Sequence, residues 1–230
     1  MSLPQANAPT AGPADEDPYL WLEDVGGEPA LTWVREQNAA STAVLEGTAG
    51  FDNLRRRLLA IYESNERIPN VTKHGEYYYN FWRDERQVRG VWRRTTLDEY
   101  RKDQPAWETV LDLDGLAALE KENWVWKGAD ILPPSYDRAL LFISRGGADA
   151  AVMREFDLVK KEFVSDGFTL PEAKSRVAWR SRDAIYIGSD FGPGSLTSSG
   201  YPRVVKEWQR GTALGEAKTV FEGKVEDVSV

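Results

Sequence analysis

The 230-residue chain contains no cysteine, two methionines and a single histidine. The missing thiols exclude disulfides and thiolate metal ligation, but they leave the compartment open, because cytosolic and periplasmic proteins can both dispense with cysteine. His74 is the only imidazole available as a general base. It stands in Lys73-His-Gly75 just before a strand-like segment, where a turn position is its ordinary explanation. No Gly-x-Ser-x-Gly elbow occurs in the chain, so a self-contained Ser-His-Asp hydrolase is not expected. Long apolar runs are also missing, and nothing approaches the ~20 residues that span a bilayer. Positive charge is in deficit, with 29 Lys and Arg against 37 Asp and Glu and a net charge of -8. That balance argues against binding a phosphate backbone. Neither membrane nor nucleic acid is an expected partner.

What is present is aromatic. Nine Trp, nine Tyr and eight Phe accompany 41% hydrophobic and 29% charged residues, a globular composition of the kind that fills interfaces between sheets. Residues 1–16 are rich in Ala and Pro, with neither a charged start nor an apolar stretch. They read as a disordered start or a remnant of cloning rather than a signal peptide. Apolar residues then recur at helical spacing in Glu28 to Glu46 and in Phe51 to Ser64, with Ile68-Pro69 as the stop signal. Residues 17–66 are therefore expected to form a helical segment.

From residue 67 onward the punctuation is that of strands. Glu76 to Trp82 and Val88 to Arg94 flank a polar turn, Ala139 to Ile143 and Val152 to Leu158 flank Arg145-Gly-Gly-Ala-Asp149, and Ala184 to Gly188 and Arg203 to Trp208 flank the loop Ser189 to Gly200. The returning strands recur irregularly, at about 40 to 60 residues, a period that suggests propeller blades. Residues 67–230 thus predict a mainly β fold, about three blades of an incomplete propeller. Three blades do not close a ring. Glu226-Asp-Val-Ser-Val230 looks like a strand opening a further blade, so more protein is expected to follow, and the fragment alone is expected to self-associate through its open edges.

Other candidate chemistry is weak. Asp112-Leu-Asp-Gly115 with Glu120 lacks the ligand spacing of a calcium loop. Gly188 to Ser195 is glycine-rich but has no Gly-Lys-Ser/Thr for a phosphate. Asp15, Asp17, Glu23 and Asp24 read as helix-terminus charges rather than a glycosidase pair. Trp82, Trp92, Trp107, Trp124, Trp126, Trp179 and Trp208 read as blade core or interface rather than a glycan-stacking surface. Arg55-Arg-Arg57 and Trp92-Arg-Arg94 read as solvated faces or ion pairs. No catalytic, cofactor-binding or metal-binding residue is assigned, and no cofactor is expected. The competing reading is a stand-alone β module that binds a peptide or glycan through its tryptophans.

Asp17-Pro-Tyr-Leu-Trp-Leu-Glu-Asp24 resembles the N-terminal signature of the prolyl oligopeptidase family, and Phe81-Trp-Arg-Asp-Glu85 with Arg89-Gly-Val-Trp-Arg-Arg-Thr-Thr96 resembles its first blade. Asn123-Trp-Val-Trp-Lys-Gly128, Ser144-Arg-Gly-Gly-Ala-Asp-Ala150, Arg154-Glu-Phe-Asp157, Pro171-Glu-Ala-Lys-Ser175 and Ser199-Gly-Tyr-Pro-Arg203 extend the resemblance over nearly all of the chain from Asp17. The resemblance implies a helical segment, a seven-bladed propeller and a C-terminal α/β-hydrolase domain carrying a Ser-Asp-His triad. The implied partners are that hydrolase domain and the short peptides the propeller admits to it. None of the family's catalytic positions has a counterpart here, so the chain by itself is expected to be inactive. A cytoplasmic location is expected, or a periplasmic one if a native signal peptide was replaced.

Overall fold

The computed structural model describes residues 17–24 and 26–228. The chain divides into two units, residues 1–63 and 64–230. In the first, a 3-10 turn over Leu20–Glu23 precedes α1 (Glu28–Glu46) and α2 (Phe51–Glu63). α1 begins with Glu28 and Pro29, a residue pair suited to the amide-rich first turn. α2 ends at Glu63, several residues ahead of the Ile68-Pro69 stop signal. The cause is local: the Ser64 hydroxyl accepts from the Glu66 amide at 3.1 Å and the Ser64 carbonyl from Arg67 Nε at 2.8 Å, bonds that compete with helix continuation.

The second unit holds three antiparallel sheets, each built in sequence order. The first contains β1 (Thr72–His74), β2 (Tyr77–Trp82), β3 (Val91–Thr96) and β4 (Glu108–Asp112), with the one-turn helix α3 (Leu97–Tyr100) between the last two. A second helix, α4 (Leu113–Glu120), leads to the next sheet. That sheet contains β5 (Trp124–Ile131), β6 (Arg138–Arg145) and β7 (Ala151–Asp157), with β8 (Glu162–Phe163) and β9 (Thr169–Ala173) both paired to β7. The third contains β10 (Arg176–Ser181), β11 (Ala184–Gly188), β12 (Val204–Gln209) and β13 (Lys218–Glu222).

β6 shows why the three sheets stack. Its residues Ala139 to Leu141 and Ile143 are fully buried, and successive side chains in a strand point to opposite faces. Ala139 and Leu141 join Tyr79, Trp92, Val110 and Phe156 against the first sheet. Leu140 joins Met153, Leu170, Ile185, Ile187 and Trp208 against the third. A strand covered on both faces reads as a continuous apolar run, which is what Ala139-Leu-Leu-Phe-Ile143 is. Three small sheets stacked face to face through aromatic seams are propeller blades.

Three sequence expectations are corrected. The repeat is regular at the first strands, because Thr72, Trp124 and Arg176 begin the blades at intervals of 52 residues. It looks irregular at the returning strands because the intervening turns differ. One example is the turn before β3, where the Asp84 carboxylate accepts from the Arg86 and Gln87 amides, both at 2.9 Å, so the strand starts at Val91 rather than Val88. The chain end also differs. Phe221 belongs to β13, which completes the third blade, and residues 223–228 form no strand. There the Lys224 amide donates to Asp227 at 2.8 Å. Residues 229–230 lie outside the described residues.

Candidate functional site: the inner edges and seams of the blades

The first strands of the blades approach one another. Trp179 Nε1 on β10 donates to the Asp130 carbonyl on β5 at 3.0 Å. His74, the last residue of β1, lies 6.0 Å from the Tyr136 ring in the β5–β6 connection and 5.7 Å from Tyr79. This converging edge is the side of a propeller that faces its central channel.

His74 closes a strand rather than occupying the turn itself. The turn falls to Gly75, whose φ of +59° lies in the left-handed region that glycine tolerates. Burial lowers the His74 pKa below its ordinary 6.5, and the nearby Asp130 carboxylate opposes that shift. Burial also raises the Asp130 pKa. Among the described residues, no hydroxyl is hydrogen-bonded to the His74 ring, and no group of three His, Cys, Asp or Glu side chains is placed to hold a metal ion. A cavity of about 230 Å³ beside His74 is lined by Tyr79, Phe81, Trp92 and Trp126.

The acids considered for calcium have other partners. Asp112 caps α4 by accepting from the Gly115 amide at 3.1 Å. Asp114 accepts from the Arg89 and Gly90 amides, and Glu120 from Trp124 Nε1 at 2.8 Å and Arg154 at 2.7 Å. Asp17 accepts from the Tyr19 amide at 2.8 Å, while Asp15 lies outside the described residues. In the loop containing Gly188 to Ser195, the Ser195 hydroxyl bonds back to the Gly192 carbonyl at 2.7 Å.

The tryptophans divide by location. Trp92 and Trp126 meet in the first seam at 5.2 Å between centroids, and Trp208 packs edge-on against Phe168 in the second at 5.1 Å. Trp82 lies on the opposite face of the first blade, with the Arg67 and Arg93 guanidiniums 4.5 and 4.4 Å from its centroid. Desolvation there lowers the Arg93 pKa to about 10.

Charges lock both seams. Arg94, buried on β3, pairs with Glu108 at 2.6 Å and donates to the Leu158 carbonyl of the second blade at 3.1 Å. Lys161 reaches Glu108 from the second blade, also at 2.6 Å. The Arg94 hydrogen bond, aided by Lys161 and opposed by partial burial, holds the Glu108 pKa at about 2 against an ordinary 4.5. A folded-state pKa below the unfolded one contributes stability above pH ~4.5 that is lost as pH falls towards 2. Glu108→Gln is therefore expected to flatten the acid limb of the stability curve between those limits, measured by urea denaturation. An unchanged acid limb would contradict this role. In the second seam, the fully buried Glu155 of β7 accepts both terminal nitrogens of Arg210 at 2.9 Å each, and the Phe168 amide at 2.9 Å.

These three stacked blades agree with what the chain resembles among known proteins. The family model for the prolyl oligopeptidase N-terminal beta-propeller domain matches residues 4–230. The chain belongs to the prolyl oligopeptidase family. It is 40% identical over 215 residues to an uncharacterized peptidase of Sinorhizobium fredii, covering 93% of this chain and 30% of that protein. An uncharacterized peptidase of Rickettsia prowazekii is 32% identical over 219 residues, covering 91% and 30%. Among solved structures, a post-proline cleaving enzyme from Rickettsia typhi matches at 31% identity with a TM-score of 0.83, covering 91% of this chain and 31% of that one. Oligopeptidase B from Leishmania major matches at 16% identity and a TM-score of 0.65, covering 90% and 28%, a likeness of fold alone. The chain spans about a third of the length of these prolyl oligopeptidase relatives.

Proposed function

We propose that the chain is the entry portion of a peptidase propeller, which in the longer protein admits short peptides to a C-terminal α/β-hydrolase domain and keeps folded proteins away from it. The observation that carries this reading is the set of three stacked blades with converging first strands, in a chain spanning about a third of its peptidase relatives. The seams are filled with aromatics and tied by buried ion pairs, so the wall is built to hold its shape while peptides pass its inner edge. The hydrolase domain supplies the nucleophile and base, and the blades supply selection by size. A cytoplasmic location belongs to the proposal, to be checked by fractionating cells that express the protein with its native start.

The test is made on the longer protein, using one cleavage sequence presented both as a short peptide and within a surface loop of a folded carrier. The expected kcat/KM is lower for the carrier by about tenfold or more. Equal values would overturn the gating role.

A further inference from the structure

The seam between the second and third blades opens at one end into a cleft of about 380 Å³. Two irregularities in the second blade border it. Between β5 and β6, Trp126 pairs with Ile143 and Gly128 with Phe142, leaving Lys127 as an extra, unpaired residue. Between β7 and β9, the register slips between Ala151 and Met153. Bulges of this kind redirect a side chain out of the regular pleat, and here Lys127 lines the cleft. Gly128, at φ +135°, permits the bend, and nothing stands within 4 Å of where its Cβ would lie.

The cleft has an apolar floor and a cationic rim. Phe142, Ala151, Ala173 and Val177 form the floor, and Lys127, Lys174 and Arg176 supply the charge. Asp149 is the sole acid of the lining, and it is committed to Lys174 at 3.3 Å. Glu172, the nearby acid of β9, is held by Arg145 at 2.9 Å. Lys127 and Arg176 are exposed and make no ion pair among the described residues. Both belong to first strands, β5 and β10, so the two free cations line one cleft from adjoining blades. In a chain of net charge -8, two unmatched cations over an apolar floor form a local inversion of charge. The cavity of the first seam has no Lys or Arg in its lining.

We propose that this cleft binds the C-terminal residue of a peptide, with the carboxylate between Lys127 and Arg176 and the last side chain against Phe142 and Val177. The proposal rests on the reading that peptides pass the inner edge of the blades. It names a subsite there, selecting free C-termini over internal segments. A single inorganic anion would use the rim and leave the floor empty, which is why a peptide terminus fits better.

The test titrates the isotope-labelled chain with acetyl-Ala-Ala-Phe, with its C-terminal amide, and with sodium acetate, following backbone amide signals. The carboxylate peptide is expected to shift Gly128, Ala151, Ala173 and Val177, and the amide to bind at least about tenfold more weakly. Lys127→Gln combined with Arg176→Gln is expected to erase the difference without moving the thermal midpoint, and Lys127→Arg to retain it. Equal binding of acid and amide would overturn the proposal, as would acetate matching the peptide or a preference that persists in the double variant. The acid-against-amide comparison on the unaltered chain decides the matter even if a variant fails to fold. Because no hydrolysis is read, a null result removes the cleft and leaves the size gate standing.

Discussion

Glu155→Gln is expected to lower the unfolding free energy by about 3–5 kcal/mol, the range for breaking a buried ion pair from one side. Glu155 has no exposed side-chain surface and satisfies Arg210 through two hydrogen bonds, with Arg138 3.7 Å away. The amide side chain keeps the shape but leaves Arg210, itself only 26% exposed, with the exposed Asp183, 3.1 Å from its Nε, as its remaining counter-charge. Arg138 retains Asp157 as a partner. Converting both members, Glu155→Gln with Arg210→Met, removes the buried guanidinium while an amide oxygen still faces the Phe168 N–H, so the double variant is expected to lose less than Glu155→Gln alone. Urea denaturation with an unchanged slope measures both values. A cost below about 1 kcal/mol for Glu155→Gln would mean that the second seam does not depend on this pair.

Leu140→Ala and Leu141→Ala are each expected to cost about 2–5 kcal/mol, the transfer and cavity cost of emptying a fully buried leucine site. The two differ in where the damage falls. Leu141 packs with Tyr79, Trp92 and Phe156 in the first seam, whereas Leu140 packs with Ile185, Ile187 and Trp208 in the second. Amide exchange is therefore expected to speed up in β2 and β3 for Leu141→Ala, and in β11 and β12 for Leu140→Ala. If both variants loosened the same blade, the alternating two-faced burial of β6 would be wrong.

The middle strands of each blade were legible in the sequence because they carry the buried apolar load, as in Ala139 to Ile143 and Ala184 to Gly188. The edge strands were not. β13 is exposed at every residue, and β10 alternates only partly, so neither offers the contrast that marks a strand. α4 is not among the helices expected from the sequence, where Asp112 to Gly115 stands out only as acids without the spacing of a calcium loop. Its signal was present nonetheless: Asp112 as a cap, followed by Leu113, Leu116 and Ala117 at helical spacing. The bulge at Lys127 was hidden because an extra residue declares itself only against its partner strand. Of the two expectations for Trp92-Arg-Arg94, a solvated face or an ion pair, Arg94 takes the ion pair, buried against Glu108 and the Leu158 carbonyl. Sequence shows that a charge is present, and only the neighbouring blade shows that it is enclosed.

The central proposal is that this chain serves as the propeller part of a longer peptidase whose nucleophile lies outside these 230 residues. The most direct measurement is labelling with a fluorophosphonate, which reacts with a serine activated by a base. The account predicts that the 230-residue chain remains unlabelled while the longer protein takes up one equivalent at a serine outside these residues. Stoichiometric labelling of any serine within the chain, located by peptide mapping, would contradict it.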